Sequence, residues 1–194
     1  MNFLAHIFLS FEHEDIMIGN FLADFVRNNA VKGFSDEVKK GVALHRKIDV
    51  FTDSHPIVKQ STKRMQQYHG KYAPVVVDVC YDYILANNWA KYSTDSLQDF
   101  CMKTYDVLEQ RMDGLPQKVQ RFLPELIKRD WLAKYGTEEG LRFTFSKLDN
   151  RTKFPSEFFK ATDQLLLHYD AFESEFNQFF PDLIDVSKDF ISKI

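Results

Sequence analysis

Residues 35–49 read SDEVKKGVALHRKID, and this stretch predicts a helix that turns polar side chains toward the protein interior. Ser35 is a plausible N-cap, and Asp36 and Glu37 follow it in a first turn, where acidic residues are favoured. We expect this helix to run to about Thr52. Because helical periodicity recurs along the chain and strand-like alternation is scarce, we predict an all-α fold.

Val38, Val42, His45 and Asp49 lie on one face of this helix. At ~100° per residue they fall within a sector of roughly 60°, which the two valines mark as facing inward. A histidine and a carboxylate four residues apart are neighbours on a helix surface. Because an isolated buried charge is too costly, the two must be paired, hydrogen-bonded or metal-bound. For these two residues alone, an ordinary His–Asp pair and a metal site both remain open.

The helix expected over residues 74–91 repeats the pattern, because Val75, Asp78 and Asp82 share one stripe. Two close carboxylates repel each other unless a proton or a cation lies between them. A divalent cation accounts for both acids. Pairing with a tyrosine hydroxyl or with Arg27 or Arg46 is the alternative.

Three further polar residues are candidates for the same site. Asp24 lies between two phenylalanines on an apolar helix, His6 lies in the apolar opening helix, and Asp53 lies about one turn past Asp49. His6 alone also fits a satisfied core histidine, and Asp53 a helix-end cap. Imidazoles with several carboxylates favour Mn²⁺, Mg²⁺ or Fe²⁺, and the missing thiolate ligands argue against structural zinc. A ferritin-like di-iron site needs Glu-x-x-His pairs, which this sequence lacks.

The remaining sequence signals predict a single helical domain over residues 1–194, with about seven to nine helices. The expected helices are residues 1–10, 15–28, 35–52, 56–70, 74–91 and 94–114, short ones over 116–135, one from 137, and a tail over 156–194 broken at Pro181.

Composition excludes several classes of protein. The net charge of −3 argues against nucleic-acid binding, since such domains usually carry a basic excess. No apolar stretch approaches the ~18 residues of a membrane span, and the N-terminus lacks the basic region of a signal peptide. Cys80 and Cys101 have no zinc or redox spacing and are expected to be reduced thiols in a soluble cytoplasmic protein. The 19 phenylalanines predict a thick aromatic core.

Several of these stretches together resemble the bacterial acyl carrier protein phosphodiesterases, also called acyl carrier protein hydrolyases. The matching stretches are MNFLAH at residues 1–6, GNFLADFVR at 19–27, HRKIDVFTD at 45–53, DVCYDYIL at 78–85 with Trp89, and HYDAFE at 168–173 leading to Phe179-Phe180-Pro181. The likeness spans nearly the whole chain in order, and it is thinnest from about Thr94 to Pro155.

The resemblance implies distant membership of the metal-dependent HD phosphohydrolase superfamily, in a helical fold. It implies an activity that removes the 4'-phosphopantetheine arm from holo acyl carrier protein and returns the apo form, with manganese as the usual metal. The superfamily's adjacent His-Asp doublet is missing, because His45 is followed by Arg46 and the nearest acid on that face is Asp49. Whether one metal or two is bound therefore stays open.

These observations combine into one predicted site. The expected metal ligands are Asp24, His45, Asp49, Asp78, Asp82 and His6. Asp24, His45 and Asp49 are also the expected catalytic residues, with Arg27 and Arg46 to steady the phosphate, because guanidinium groups complement its charge.

An acidic carrier protein needs a local basic surface on a chain of negative net charge. Lys59, Lys63 and Arg64 line the helix after Pro56 and are the expected docking residues. Two alternatives remain open. One is a related phosphohydrolase of a nucleotide or small phosphodiester, and the other is a non-catalytic helical adaptor whose buried acids pair with arginines.

Overall fold

The computed structural model describes residues 1–26, 28–150, 152 and 156–193, and this part of the chain is helical with no strand. The α-helices are α1 (Phe3–Phe8), α2 (Glu14–Leu22), α3 (Asp36–Ser54), α4 (Pro56–His69), α5 (Ala73–Asn87), α6 (Leu97–Gln110), α7 (Gln117–Lys128), α8 (Trp131–Lys134), α9 (Glu138–Asp149), α10 (Ala161–Leu167) and α11 (Tyr169–Ser192). None of them is long and apolar enough to cross a membrane. The predicted all-α class is confirmed.

Side-chain caps start several helices where the sequence predicted them. The Ser35 hydroxyl accepts a hydrogen bond from Val38 N–H at the start of α3, and Thr137 accepts one from Gly140 N–H at the start of α9. Pro56 occupies the first turn of α4, where its missing N–H would be unpaired in any case. Local chemistry therefore determines these helix starts.

The first two helices are shorter than predicted. α1 ends at Phe8, and Phe11 and Glu12 then adopt positive φ angles of 47° and 64°, which turn the chain toward α2. α2 ends at Leu22, so Asp24 lies in the turn after the helix and not within it. This correction matters for function, because a carboxylate beyond a helix end is free of the helical side-chain direction.

The tail is broken at His168, and Pro181 lies inside the continuous helix α11. The predicted break at Pro181 is wrong. A proline within a helix costs about 3 kcal/mol, but Pro181 is exposed while Phe180 and Leu183 on either side of it are fully buried. Burial of one such side chain contributes roughly 1.5–3 kcal/mol, so packing on both sides of the proline outweighs the lost hydrogen bond.

Helices α2 and α3 cross with their backbones in contact. A Cβ atom added at Gly19 would lie 2.0 Å from the Val38 carbonyl oxygen, and one added at Gly41 would lie 2.1 Å from the Ile16 carbonyl oxygen. Only residues without a side chain allow such an approach. The crossing brings the buried face of α2 against the face of α3 that carries His45.

Helix α5 lies at the centre of the molecule and packs against α1, α4, α9, α10 and α11. Its residues are buried on nearly all sides, which explains its almost continuous apolar sequence. Tyr81 of α5 contacts the rings of Phe176 and Phe179 on α11 at centroid distances of 5.3 and 5.6 Å. The buried residues of the described helices form one connected core, and the predicted aromatic core is confirmed.

Candidate metal centre

Two helices bring His6, His45 and Asp49 together. His6 lies on α1, while His45 and Asp49 lie one turn apart on α3. The Nε2 atoms of His6 and His45 lie 3.2 and 3.3 Å from the two carboxylate oxygens of Asp49. One ligand atom from each residue lies within 4.8 Å of the other two, so the three could hold one metal ion. The i, i+4 spacing supplies the histidine and acid that an adjacent His-Asp doublet would supply.

The two imidazole rings stack with their centroids 3.9 Å apart and are both held by Asn20 of α2. His6 Nδ1 lies 2.9 Å from Asn20 Oδ1, and His45 Nδ1 lies 2.9 Å from the Asn20 carbonyl oxygen. A carbonyl oxygen only accepts hydrogen bonds, so His45 Nδ1 carries a proton. The same reasoning places a proton on His6 Nδ1, which faces the Asn20 amide oxygen. The Nε2 atoms of both rings point toward Asp49. In metal-ligating histidines, the ring nitrogen that does not bind the metal usually forms a hydrogen bond to a neighbouring group.

Asn20 is itself fixed. Its Nδ2 group donates to the His6 carbonyl oxygen at 2.6 Å and to Ser10 Oγ at 3.2 Å, which orients Oδ1 toward the two rings. Asn20 is fully buried. No role was predicted for Asn20 from the sequence. The signal was nevertheless present, because Asn20 is a polar residue in the apolar helix α2, just as His45 is a polar residue on the apolar face of α3.

The centre is buried on one side and open on the other. The side chains of His6 and His45 are 2% and 9% exposed, whereas those of Asp49 and Asp24 are 45% and 44% exposed. Asp24 Oδ1 lies 3.7 Å from His45 Nε2, so this acid joins the rim from the turn after α2. The imidazoles form a floor and the carboxylates a rim that a phosphate can reach from solvent.

The pKa values of these groups reflect their burial and their contacts. Burial, together with repulsion from His45, lowers the pKa of His6 to about 4. Burial also acts to lower the pKa of His45, but hydrogen bonding to Asp49 and the charge of Asp24 outweigh it and raise the pKa. Burial acts to raise the pKa of Asp49, but its close contacts with His45 and His6 reverse that effect and lower the pKa. The acid is therefore ionised, with an imidazole nitrogen near each of its oxygens.

Asp78 and Asp82 are occupied by the start of the chain. Asp78 Oδ1 accepts from the Met1 ammonium at 2.7 Å, and the Asp82 carboxylate accepts from the N–H groups of Asn2 (3.2 Å) and Leu4 (2.8 Å). Burial raises the pKa of Asp82 to about 7, although the ammonium and the two N–H groups oppose it. The two acids hold the helix that carries His6, and they lie outside the group of His6, His45 and Asp49, so their ligand role stays a prediction.

The other predicted site residues lie outside the three-residue group. Asp53 is exposed, and partial burial and the nearby charge of Asp78 raise its pKa. Arg46 lies on the exposed side of α3. Arg27 lies outside the described residues.

The predicted docking residues divide into two kinds. Lys59 and Lys63 are exposed on α4. Arg64 instead binds the buried carboxylate of Glu175 on α11 through two hydrogen bonds of 2.5 Å, and its guanidinium lies 5.2 Å from the centre of the Phe172 ring. Arg64 therefore joins α4 to α11 through its bidentate contact with Glu175, and its docking role stays a prediction.

A cavity of about 240 Å³ adjoins the centre. Asp24, Asp78 and Met1 form the part nearest the centre, and the remaining lining residues are Asn2, Phe3, Phe25, Val75, Lys118, Trp131, Tyr135, Thr144, Lys147 and Leu148. The cavity lies between α1, α5, α7, α8 and α9, and of its lining residues only Asp24 and Asp78 were predicted site residues.

The donor set fits a divalent cation. His6 Nε2 is buried and has no hydrogen-bond partner of good geometry in the described part of the chain, and it points toward Asp49. Such an orphaned atom is costly unless something binds it. Two imidazoles with one or two carboxylates are suitable ligands for several transition metals. The structure thus contains a possible metal site, and its donor atoms do not identify the metal.

The chain has relatives among known proteins over nearly its whole length. The family model described as acyl carrier protein phosphodiesterase matches residues 1–183. The acyl carrier protein phosphodiesterase of Escherichia coli O6:H1 is 34% identical over 95% of this chain and 96% of its own length. The one from Photorhabdus laumondii is 31% identical over 98% of each chain. No solved structure matches the chain, so kinship with the HD superfamily stays a prediction.

Proposed function

This chain belongs to the acyl carrier protein phosphodiesterase family, and on that premise we propose that the centre built on His6, His45 and Asp49 releases phosphopantetheine from holo acyl carrier protein. The enzyme is a hydrolase of a phosphodiester bond. Water adds to phosphorus, the bond from phosphorus to the serine oxygen of the carrier breaks, and a proton from the water ends on that oxygen. The products are the apo carrier and free 4'-phosphopantetheine.

The residues of the centre have separate tasks in this reaction. His6 and His45, fixed by Asn20, present two nitrogen lone pairs from the buried floor, and Asp49 neutralises positive charge between them. Asp24 contributes a second carboxylate from the rim, beside the entry from solvent. A divalent cation held there would acidify a water molecule and polarise a phosphoryl oxygen. Rigid Nδ1 hydrogen bonds keep the ligands in place without a change of rotamer.

We propose Mn²⁺ as the working metal, with Mg²⁺ and Fe²⁺ as the alternatives. A mixed imidazole and carboxylate set without thiolate supports this order, since Mg²⁺ is usually held by oxygen ligands alone. The proposal also keeps the cytoplasmic location predicted from the sequence, because both cysteines are buried and unpaired in the described structure.

The observation that carries the proposal is the convergence of two buried Nε2 atoms on one half-exposed carboxylate. The test incubates purified protein with holo acyl carrier protein, with Mn²⁺ and then with EDTA, and follows the carrier by mass. We expect the carrier to lose the mass of phosphopantetheine only when metal is present. Asp49→Asn should abolish the release and lower the bound metal per chain.

A matched control is available on the surface. Asp182→Asn removes the carboxylate of another His–Asp pair, in which His55 Nε2 lies 3.3 Å from Asp182 Oδ2, and this variant should keep full activity. Turnover of nucleotides or generic diesters with an intact holo carrier would favour the related phosphohydrolase. Protein without stoichiometric metal and without hydrolysis would favour the adaptor.

We propose that the acidic carrier docks beside Lys59 and Lys63. They are exposed, lie four residues apart on α4, and form no ion pair in the described part of the chain. Reversing both to Glu should raise KM for the holo carrier and leave hydrolysis of bis(4-nitrophenyl) phosphate unchanged. Lys128→Glu, which reverses an exposed charge on α7, is the control. An equal loss on both substrates would contradict docking at α4.

A further inference from the structure

The hydroxyl of Tyr135 is a buried polar group without a hydrogen bond of good geometry in the described part of the chain. Tyr135 is 1% exposed, and the Thr144 side chain is near its OH without completing such a bond. Burial, together with the nearby charges of Asp82 and Asp24, holds its pKa well above the ordinary value, so the phenol keeps its proton. A buried hydroxyl left unpaired is energetically unfavourable. Such groups in native proteins call for an explanation, and a ligand is one.

The hydroxyl belongs to a residue that lines the cavity beside the metal centre. The cavity shares Asp24 with the rim of the centre, so the two meet at that residue. The walls combine apolar surface from Phe25, Trp131 and Val75 with polar surface of about equal extent. A concave site in which polar groups converge beside apolar surface can both orient and bury a small molecule.

The polar groups that remain unsatisfied in the cavity are mostly donors. The Thr144 hydroxyl oxygen already accepts from Trp131 Nε1 at 2.9 Å. Lys118 and Lys147 line the cavity and form no ion pair with a carboxylate in the described part of the chain. Their ammonium groups lie over aromatic rings instead, Lys118 over Phe25 at 5.6 Å. Together with the Tyr135 hydroxyl they offer hydrogen atoms to an acceptor-rich ligand.

We propose that this cavity binds the pantetheine part of the substrate, with Tyr135, Lys118 and Lys147 as substrate-binding residues that donate hydrogen bonds to its amide and hydroxyl oxygens. The inference rests on the proposed function, since it requires the phosphodiester to lie at the metal centre. The arm leaves the phosphate on one side and enters the cavity past Asp24. Its methyl and methylene groups then pack on Phe25 and Trp131.

The size of the cavity limits how much of the arm enters. Sites for whole small molecules usually measure about 300–1,000 Å³, and this cavity measures about 240 Å³. It accommodates the segment next to the phosphate and leaves the thiol end outside. Recognition of that segment separates the true substrate from a diester of equal charge that has no amide or hydroxyl oxygens.

The test compares binding and turnover in Tyr135→Phe and Lys118→Ala. Reduced pantetheine, which has no phosphate, is titrated calorimetrically into metal-free protein. We expect the Kd to rise about tenfold in each variant, which corresponds to about 1.4 kcal/mol. KM for the holo carrier should rise as well, while kcat/KM for bis(4-nitrophenyl) phosphate stays unchanged. Lys128→Ala removes an exposed charge from the same helix and should leave all three values unchanged.

Stability supplies an independent readout. Because the Tyr135 hydroxyl has no hydrogen bond of good geometry among the described residues, Tyr135→Phe should keep or slightly raise the melting temperature. A marked fall in melting temperature would show that the hydroxyl serves the fold, and unchanged pantetheine affinity in both variants would likewise overturn the inference. Failure of the proposed function is a different result, in which wild-type protein with Mn²⁺ leaves the holo carrier intact.

Discussion

Replacing Asn20 by Leu would test whether one buried amide organises the metal centre. The two side chains are similar in size, so the change removes hydrogen bonds with little loss of packing. His6 Nδ1 loses its acceptor at 2.9 Å, whereas His45 Nδ1 keeps the carbonyl oxygen of residue 20 at 2.9 Å. The His6 carbonyl also loses its 2.6 Å bond from the amide. The structure therefore predicts that His6 is released and His45 is held.

The expected effects follow from these lost contacts. Loss of a partner behind a metal-ligating histidine typically weakens metal binding 10–100-fold, which is about 1.4–2.7 kcal/mol. The stability of the metal-free protein should also fall by about 1–3 kcal/mol, because His6 Nδ1 is left unpaired in a fully buried position.

Mn²⁺ affinity is measured by competition with a chromogenic chelator, and stability by urea unfolding in EDTA. Asn88→Leu removes another buried amide, whose Nδ2 bonds Ile84 O at 3.1 Å, and should leave Mn²⁺ affinity unchanged. If Asn20 acts through His6, then in a double-mutant cycle Asn20→Leu should add little to His6→Ala. Wild-type affinity in Asn20→Leu, or full additivity in the cycle, would refute the reasoning.

Three further predictions concern stability. In metal-free protein the folded-state pKa of His6 is about 4 against 6.5 unfolded, so the His6 contribution to the unfolding free energy should fall by about 3 kcal/mol as the pH drops from 6.5 to 4. The raised pKa of Asp82 acts in the opposite direction, so the measurement is the difference in unfolding free energy between wild type and His6→Gln, taken from urea titrations at the two pH values. Gly41→Ala should lower the free energy of unfolding by about 1–3 kcal/mol or more, because the added Cβ would clash with backbone atoms of α2. Gly33→Ala, which has open space around it, should leave the melting temperature unchanged. Arg64→Ala should lower the free energy of unfolding in urea by about 3 kcal/mol, because Glu175 stays buried without its counter-charge. A decrease of less than about 1 kcal/mol would contradict this prediction.

The parts of the fold that local chemistry controls could be predicted. Ser35, Pro56 and Thr137 start helices where expected, because a cap or a fixed φ acts within one turn of the chain. The end of α2 and the continuity of α11 through Pro181 could not. Both depend on which surfaces the rest of the chain covers, and no local signal contains that information.

The site, like the fold, could be predicted only where local contacts determine it. Helical periodicity identified His45 and Asp49 as an inward pair, since the relation is within one turn of one helix. It also marked Asp78 and Asp82 as inward acids, but periodicity does not name the partner. The partner in the structure is the start of the chain, which anchors His6 through α1.

Sequence alone determined the helical class, the aromatic core and the one-turn pairing of a histidine with an acid, because each depends on neighbours along the chain or on composition. Tertiary structure alone decided that Asn20 holds both imidazoles, that Arg64 serves the fold, and that Tyr135 faces a cavity next to Asp24. These contacts join helices far apart in sequence. Their geometry depends on close approaches such as the crossing at Gly41, where two backbones touch because no side chain intervenes.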